Sequence, residues 1–256
     1  MTAPTIATLF DGYFSVIPAS NEDLIKKVYT IRHQVYCEEL GYEAQRANHL
    51  EFDDYDLRSI HCLLFHKPSQ TYAGCIRLIL ADSHDPNAKF PLENACNEKL
   101  KWAFDGPSGN ERSQYGEISR LAITANFRRR RGESQYPDGG SESIDNQDDD
   151  ARRRFPSVAL GLYVAITAMG LNQGLDGVFA MMEPRLARQL RRFGFHFEQV
   201  GEAVDHRGIR APFYISRHTL LTSLRPDMME LLDRTMAELK NASPPHNNQL
   251  PPIDHA

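Results

Sequence analysis

Three ionisable side chains stand where their neighbours indicate burial, and three more on a helix and an acidic loop could join them to line one polar cleft. Arg77 lies between Ile76 and Leu78 in the β-rich run Gly74–Leu80, and Glu117 and Arg120 interrupt Gly116–Ile123, which otherwise reads as a central strand. Arg32 belongs to a helical stretch, and Asp53 and Asp56 sit in the acidic, aromatic segment Glu51-Phe-Asp-Asp-Tyr-Asp56. In an extended segment this alternation puts Glu51, Asp53 and Tyr55 on one face, with Asp56 across the chain or on a bend. An unpaired ion inside a sheet costs several kcal/mol, so each of these charges needs a partner. Two readings stay open: the six line a polar cleft in which ionisable groups do chemistry, or they form buried ion pairs that pin a loop to the sheet. The set as a whole favours the cleft.

Other chemistries have no local support. The chain lacks GxSxG, HExxH, GxxxxGK[ST] and GxGxxG patterns, which speaks against serine-hydrolase, zincin, P-loop and dinucleotide readings. His61 and His66 would point to opposite faces of one strand, and no metal site is expected. Cys37, Cys62, Cys75 and Cys96 form no CxxC pair, which suits reduced thiols and a cytoplasmic protein. A net charge of −5 gives no reason to expect nucleic acid as a partner. No secretory signal is visible at the N-terminus, and the longest apolar stretch, 157–171, is too short to span a bilayer, so no integral membrane association is expected.

The elements that must position the charges follow from periodicity and punctuation. Ser20 and Asn21 can cap a helix over about 21–40, with Leu24, Val28, Ile31 and Val35 on one face. The runs 60–65 and 72–80 suit an antiparallel hairpin, and 116–123 adds a third strand. Pro156 opens the apolar helix 157–171; a short strand at 178–182 and a helix over 184–193 follow. Further strands are expected at 195–204 and 212–216, and a helix over 226–240 is expected at the periphery. Arg128 to Arg154 mixes two arginine runs with many acids and reads as a mobile insertion; the arginines suit an anion site or a self-neutralised loop. With 41% hydrophobic residues in 256, the chain can bury a sizeable core. The expected fold is α/β (α+β), helices covering a mixed, mostly antiparallel central sheet. The expected organisation is one domain over 1–225 with a disordered insertion at about 129–154, then a C-terminal helix and disordered tail over 226–256.

Several ordered motifs carry a resemblance. Arg32-x-x-Val35-Tyr36-Cys37-x-Glu39, Glu51-x-Asp53-x-Tyr55-Asp56, Gly74-x-x-Arg77-Leu78 and Glu117-x-Ser119-Arg120 resemble the signature of the autoinducer-synthase branch of the GNAT acyltransferases, which includes acyl-homoserine-lactone and N-acyl amino acid synthases. Tyr13-Phe14, Asp56-x-x-Ser59-x-His61, Met182-Glu-Pro-Arg-Leu-Ala187 and His206-Arg-Gly208-x-Arg210-x-Pro212 are similar to the PEP-CTERM/exosortase system-associated acyltransferases. The likeness runs over roughly 10–225.

It implies a GNAT-type acyltransferase fold and an N-acyltransferase with no tightly bound cofactor. The donor substrate would be a fatty acyl-phosphopantetheine thioester, on acyl carrier protein or CoA, and the acceptor a small amine such as an amino acid. The resemblance assigns catalysis to Glu117 and Arg120, with Glu117 taking the amine proton. Arg32, Asp53, Asp56 and Arg77 would bind substrate, with Arg32 or Arg77 clamping an acceptor carboxylate. It also implies oxyanion donors on a bulged strand near Leu121–Ile123, and a phosphate-gripping turn at Phe127–Gly132 in which Arg130, Arg131 and Gly132 contact the donor. Homoserine-lactone synthases carry a tryptophan in the region near Tyr42, whereas the one tryptophan here is Trp102. An amino acid acceptor therefore fits at least as well as S-adenosylmethionine. His206 and Arg210 are expected to fold a turn. The alternatives are an acyl-homoserine-lactone synthase, and a non-catalytic GNAT-like module that binds an acyl ligand or a carrier protein.

Overall fold

The computed structural model describes residues 5–101, 112–128 and 158–240. Helix α1 (Ile6–Tyr13) is capped by the Thr5 hydroxyl, which accepts from the Thr8 N–H, and runs directly into strand β1 (Phe14–Pro18). Helix α2 (Glu22–Arg32) starts at Asn21, whose side chain accepts from the Leu24 N–H at 2.9 Å. The helix expected over 21–40 does not stay α-helical: it widens into a π-helical segment over His33–Glu39. A 3-10 turn (Asp54–Arg58) then leads into the hairpin of β2 (Ser59–His66) and β3 (Thr71–Leu80). The remaining elements are α3 (Pro91–Cys96), β4 (Tyr115–Ile123), α4 (Val158–Asn172), β5 (Gly177–Met182) and α5 (Pro184–Arg191). They are followed by β6 (Glu198–Gln199), β7 (Val204–Asp205), β8 (Ile209–Ser216), α6 (Arg217–Ser223) and α7 (Pro226–Lys240).

The sheet runs β1-β2-β3-β4-β5-β8-β6, with β7 paired to β8. Among the described residues the one parallel pair is β4 with β5; every other pair is antiparallel, so the expected mixed sheet flanked by helices is what forms. Helix α4 is buried on all sides from Ala159 to Gly170, because β2–β4 cover one side and α7 another. That double coverage is why its sequence is apolar all round instead of amphipathic. Met228, Leu231 and Leu232 of α7 belong to the same core as α4, so this helix is not peripheral. On the opposite face of the sheet, α2 and residues 50–52 pack Val28, Tyr29, Ile31 and Phe52 against Leu63 and Cys75.

Elements α1, β1 and α3 were not expected, and the strand expected over 195–204 is broken into β6 and β7. Short segments closed by a single cap or by pairing to one neighbour have too few residues to show a period. Trp102, Pro156, the insertion expected at 129–154 and the tail from Asn241 lie outside the described residues.

Candidate active site: an ion network beside a split in the sheet

Strands β4 and β5 pair in register from Tyr115 opposite Gly177 to Ile118 opposite Ala180, and no further. Beyond that point β4 bulges. Arg77 of β3 faces Ser119 while Cys75 faces Ala122, so β4 spends three residue steps where β3 spends two. The extra residue is accommodated at Arg120, which takes φ +49°, a conformation a non-glycine side chain rarely adopts. Gly74 makes the close approach possible: a Cβ there would sit 2.4 Å from the Ala122 carbonyl oxygen. The bulge is held from the other side by Tyr36, whose hydroxyl donates to the Leu121 carbonyl at 2.8 Å. The π-helical segment carries Tyr36, so its irregular backbone serves a contact at the cleft. A cleft opens where the two strands part, lined by Ser119, Arg120 and Leu121 on one side and Met181, Met182 and Arg210 on the other. Residues 120 and 121 have no register partner on β3, and 119–121 none on β5, which is where backbone N–H groups can meet a developing oxyanion.

Beside the cleft lies a network of four arginines and four carboxylates. The Arg32 guanidinium donates to Glu51 at 2.5 Å and forks onto Asp56 at 2.7 and 3.1 Å. Arg77 donates to Asp53 at 2.6 Å, to Asp56 at 2.9 Å and, through Nε, to the Ser119 hydroxyl at 2.9 Å. Arg120 reaches Glu51, Glu43 and Asp53 at 3.2, 3.0 and 3.3 Å, and Arg207 closes on Glu43 at 2.5 Å. The segment 51–56 is not extended. Asp53 caps the 3-10 turn by accepting from the Tyr55 N–H, and Asp56 accepts from the Asp53 N–H, so both acids swing to Arg77. Arg32 and Asp56 are fully buried, whereas Asp53 and Arg120 form the open edge at 27% and 18% side-chain exposure. Burial works against ionising Glu51, but Arg32 and Arg120 outweigh it and hold its carboxyl at about 2. Burial likewise opposes charge on Asp56, and Arg32 and Arg77 keep its carboxyl far below the usual range.

Glu117 stands outside this network. It is buried, opposite Phe179 on β5, and accepts the Leu92 N–H of α3 at 2.9 Å. Burial pushes its carboxyl up to about 8; the Leu92 N–H and the Arg77 and Arg120 charges only partly offset that push. A carboxylate with this proton affinity is a far better base at neutral pH than an ordinary one.

The structure thus brings Arg32, Asp53, Asp56, Arg77 and Arg120 into one cluster and leaves Glu117 on the same strand but separate. Arg32 is paired with Glu51 and Asp56 and Arg77 with Asp53 and Asp56, and both arginines are almost completely buried. Arg130, Arg131 and Gly132 lie outside the described residues, while Arg128, the first of that arginine run, is buried and paired with Glu39. Sequence reasoning gave no role to Glu43, Arg207 or Tyr36. The Arg207–Glu43 pair joins residues 164 positions apart and has no local signal; Glu51 was visible as an acid in a charged motif. His33, Glu38 and His49 bring potential ligand atoms within 4.8 Å of one another. His33 Nε2 accepts the Arg46 N–H, however, which puts the ring proton on Nδ1, facing Glu38. That is a hydrogen-bonded trio, not a ready ligand set. Burial pushes the His61 imidazole down to about 3, so it stays neutral beside Asp56.

Residues 31–136 match the acetyltransferase (GNAT) domain family, and the mixed sheet opens between its parallel strands beside a bulge. The chain is similar to the acyl-homoserine-lactone synthase of Aeromonas salmonicida, 25% identical over 187 residues that cover 72% of this chain and 75% of the relative. Its fold is shared with the AHL synthase LasI (TM-score 0.54, 17% identity, 83% of this chain and 96% of that one). It is shared equally with FeeM, an N-acyl amino acid synthase from uncultured soil microbes (TM-score 0.53, 11% identity, 84% and 97%).

Proposed function

We propose that the protein is an N-acyltransferase that moves a fatty acyl group from a phosphopantetheine thioester to the amine of a small acceptor such as an amino acid. The carrying observation is the cleft at the β4–β5 split, with unladdered backbone on one wall and a buried carboxylate of high proton affinity on the same strand. In this reading the acceptor amine attacks the thioester carbon and the carbonyl oxygen takes on charge. Backbone N–H groups of the bulge stabilise that charge, and the thiolate leaves with its electron pair. Glu117 does not line the cleft, so the amine proton reaches it through water. Asp53 and Arg120, at the open edge of the network, contact the acceptor. Arg32, Asp56 and Arg77 hold them in place.

The donor is an acyl carrier protein or acyl-CoA thioester, and Arg130, Arg131 and Gly132 meet its phosphate. The motifs shared with PEP-CTERM/exosortase-associated acyltransferases support a place in that group. Four buried free thiols support a cytoplasmic setting. Among the described residues no helix is long and apolar enough to cross a membrane.

The test is thiol release by the purified protein from acyl carrier protein thioesters and acyl-CoAs, across a panel of amino acids, amines and S-adenosylmethionine. Release with an amino acid and detection of the N-acyl product support the proposal. Release confined to S-adenosylmethionine favours the homoserine-lactone synthase reading, to which the Aeromonas relative points. Tight thioester binding with no release from any pair would make the protein a binding module.

A further inference from the structure

Arg210, on β8, faces the same cleft as Tyr36, Ser119 and Arg120. Its Nε is buried and has no hydrogen-bond partner, and among the described residues no carboxylate pairs with the guanidinium. That sets it apart from its neighbours. Arg120 is shared among three acids, Arg207 is held by Glu43, and Arg32 and Arg77 are closed off by Glu51, Asp53 and Asp56. Desolvating part of a guanidinium without an acceptor is unfavourable, and the deficit is removed when an anion supplies two oxygens in the plane of the fork. Positive charge also gathers at this spot. After burial, Arg207, Arg210 and Arg120 push the nearby His206 imidazole down from its ordinary value.

We infer that Arg210 is the carboxylate clamp of the acceptor site: its fork binds the acceptor's carboxylate in the cleft and leaves the amine facing the bulge of β4. This deepens the acyl-transfer reading and rests on it. It also moves the clamp away from Arg32 and Arg77, which are buried and already paired with the protein's own acids. The acceptor is favoured over the donor phosphate because Arg210 faces the cleft across from Arg120, the open edge of the network assigned to the acceptor. The phosphate-binding turn is expected instead in the chain that leaves β4.

The experiment compares wild type, Arg210→Ala and Arg210→Lys with the amino acid that wild type acylates fastest, with the decarboxylated amine of the same side chain, and with the donor varied at fixed acceptor. Arg210→Ala should raise the KM for the amino acid about tenfold to a hundredfold, while the decarboxylated amine and the donor keep their wild-type KM. Arg210→Lys should recover part of the loss, since it restores charge without the fork. Equal loss with both acceptors, a selective rise in donor KM, or no change would each overturn the clamp; the second would assign Arg210 to the donor's phosphate. Thermal melting of each variant excludes misfolding as the cause. If wild type releases thiol with no acceptor at all, the acyl-transfer reading fails first and takes the clamp with it.

Discussion

Glu117→Gln separates the chemical role of this residue from its energetic cost. The substitution keeps the side chain's shape and leaves an amide oxygen to accept the Leu92 N–H, so the start of α3 retains its contact. It removes the ability to take a proton. The carboxyl is displaced from 4.5 to about 8, chiefly by burial. At roughly 1.4 kcal/mol per tenfold change in proton affinity, this corresponds to on the order of 5 kcal/mol between the two forms. The folded pKa is the higher one, so below pH 4.5 both folded and unfolded chains hold the proton and the group has no effect. Between 4.5 and 8 the unfolded chain gives up its proton and the folded one keeps it, so stability falls as pH rises and levels off above 8. By pH 7 the accrued loss is about 3 kcal/mol on the same scale. Urea denaturation from pH 5.5 to 8.5 should therefore show wild type losing stability with pH and Glu117→Gln staying flatter, with the variant the more stable of the two at pH 8. In the thiol-release assay, wild-type kcat should rise as Glu117 deprotonates near pH 8. The variant should be slower by about a hundredfold to ten-thousandfold, the range for loss of a general base. Parallel stability profiles, or turnover within a few-fold of wild type, would refute the assignment.

Three other perturbations probe the frame around the cleft. Glu51→Gln leaves the buried Arg32 and the partly buried Arg120 short of one negative charge and should cost about 3–5 kcal/mol at pH 7. Because the Glu51 carboxyl is held at about 2, its contribution is present above pH 4.5 and lost as pH falls through 2, so wild-type and variant denaturation curves should converge toward that acid limit. Tyr36→Phe removes the donor to the Leu121 carbonyl; about 1 kcal/mol of stability should go, together with a lower kcat at unchanged donor KM, as steady-state kinetics and urea melts will show. Gly74→Ala drives a methyl against the Ala122 carbonyl oxygen, and differential scanning calorimetry should report a loss of about 1–3 kcal/mol with turnover reduced by the displaced bulge.

The charges that matter were legible locally because they violate their surroundings. Arg77, Glu117 and Arg120 stand out in apolar strands whatever the rest of the chain does, and the all-round apolar run of α4 required burial on every side. The hairpin β2–β3, the central strand β4 and the cover of helices followed from the same local periodicities. By contrast, the 3-10 turn at Asp54–Arg58 depends on Asp53 and Asp56 capping each other, and the bulge at Arg120 needs a backbone angle that no residue type there announces. Which arginines still have donors to offer was equally hidden. Arg32 and Arg77 looked like the clamps, yet Asp53 and Asp56 consume them, while Arg210 lines the cleft unclaimed.

Sequence by itself therefore determined which groups cannot be left alone in this protein, since desolvation acts on a residue through its immediate neighbours. Only the tertiary structure decided with whom each is paired and where the sheet parts. Contacts such as Arg207 with Glu43, and the divergence of β4 from β5, arise between segments brought together by the packing of the whole chain.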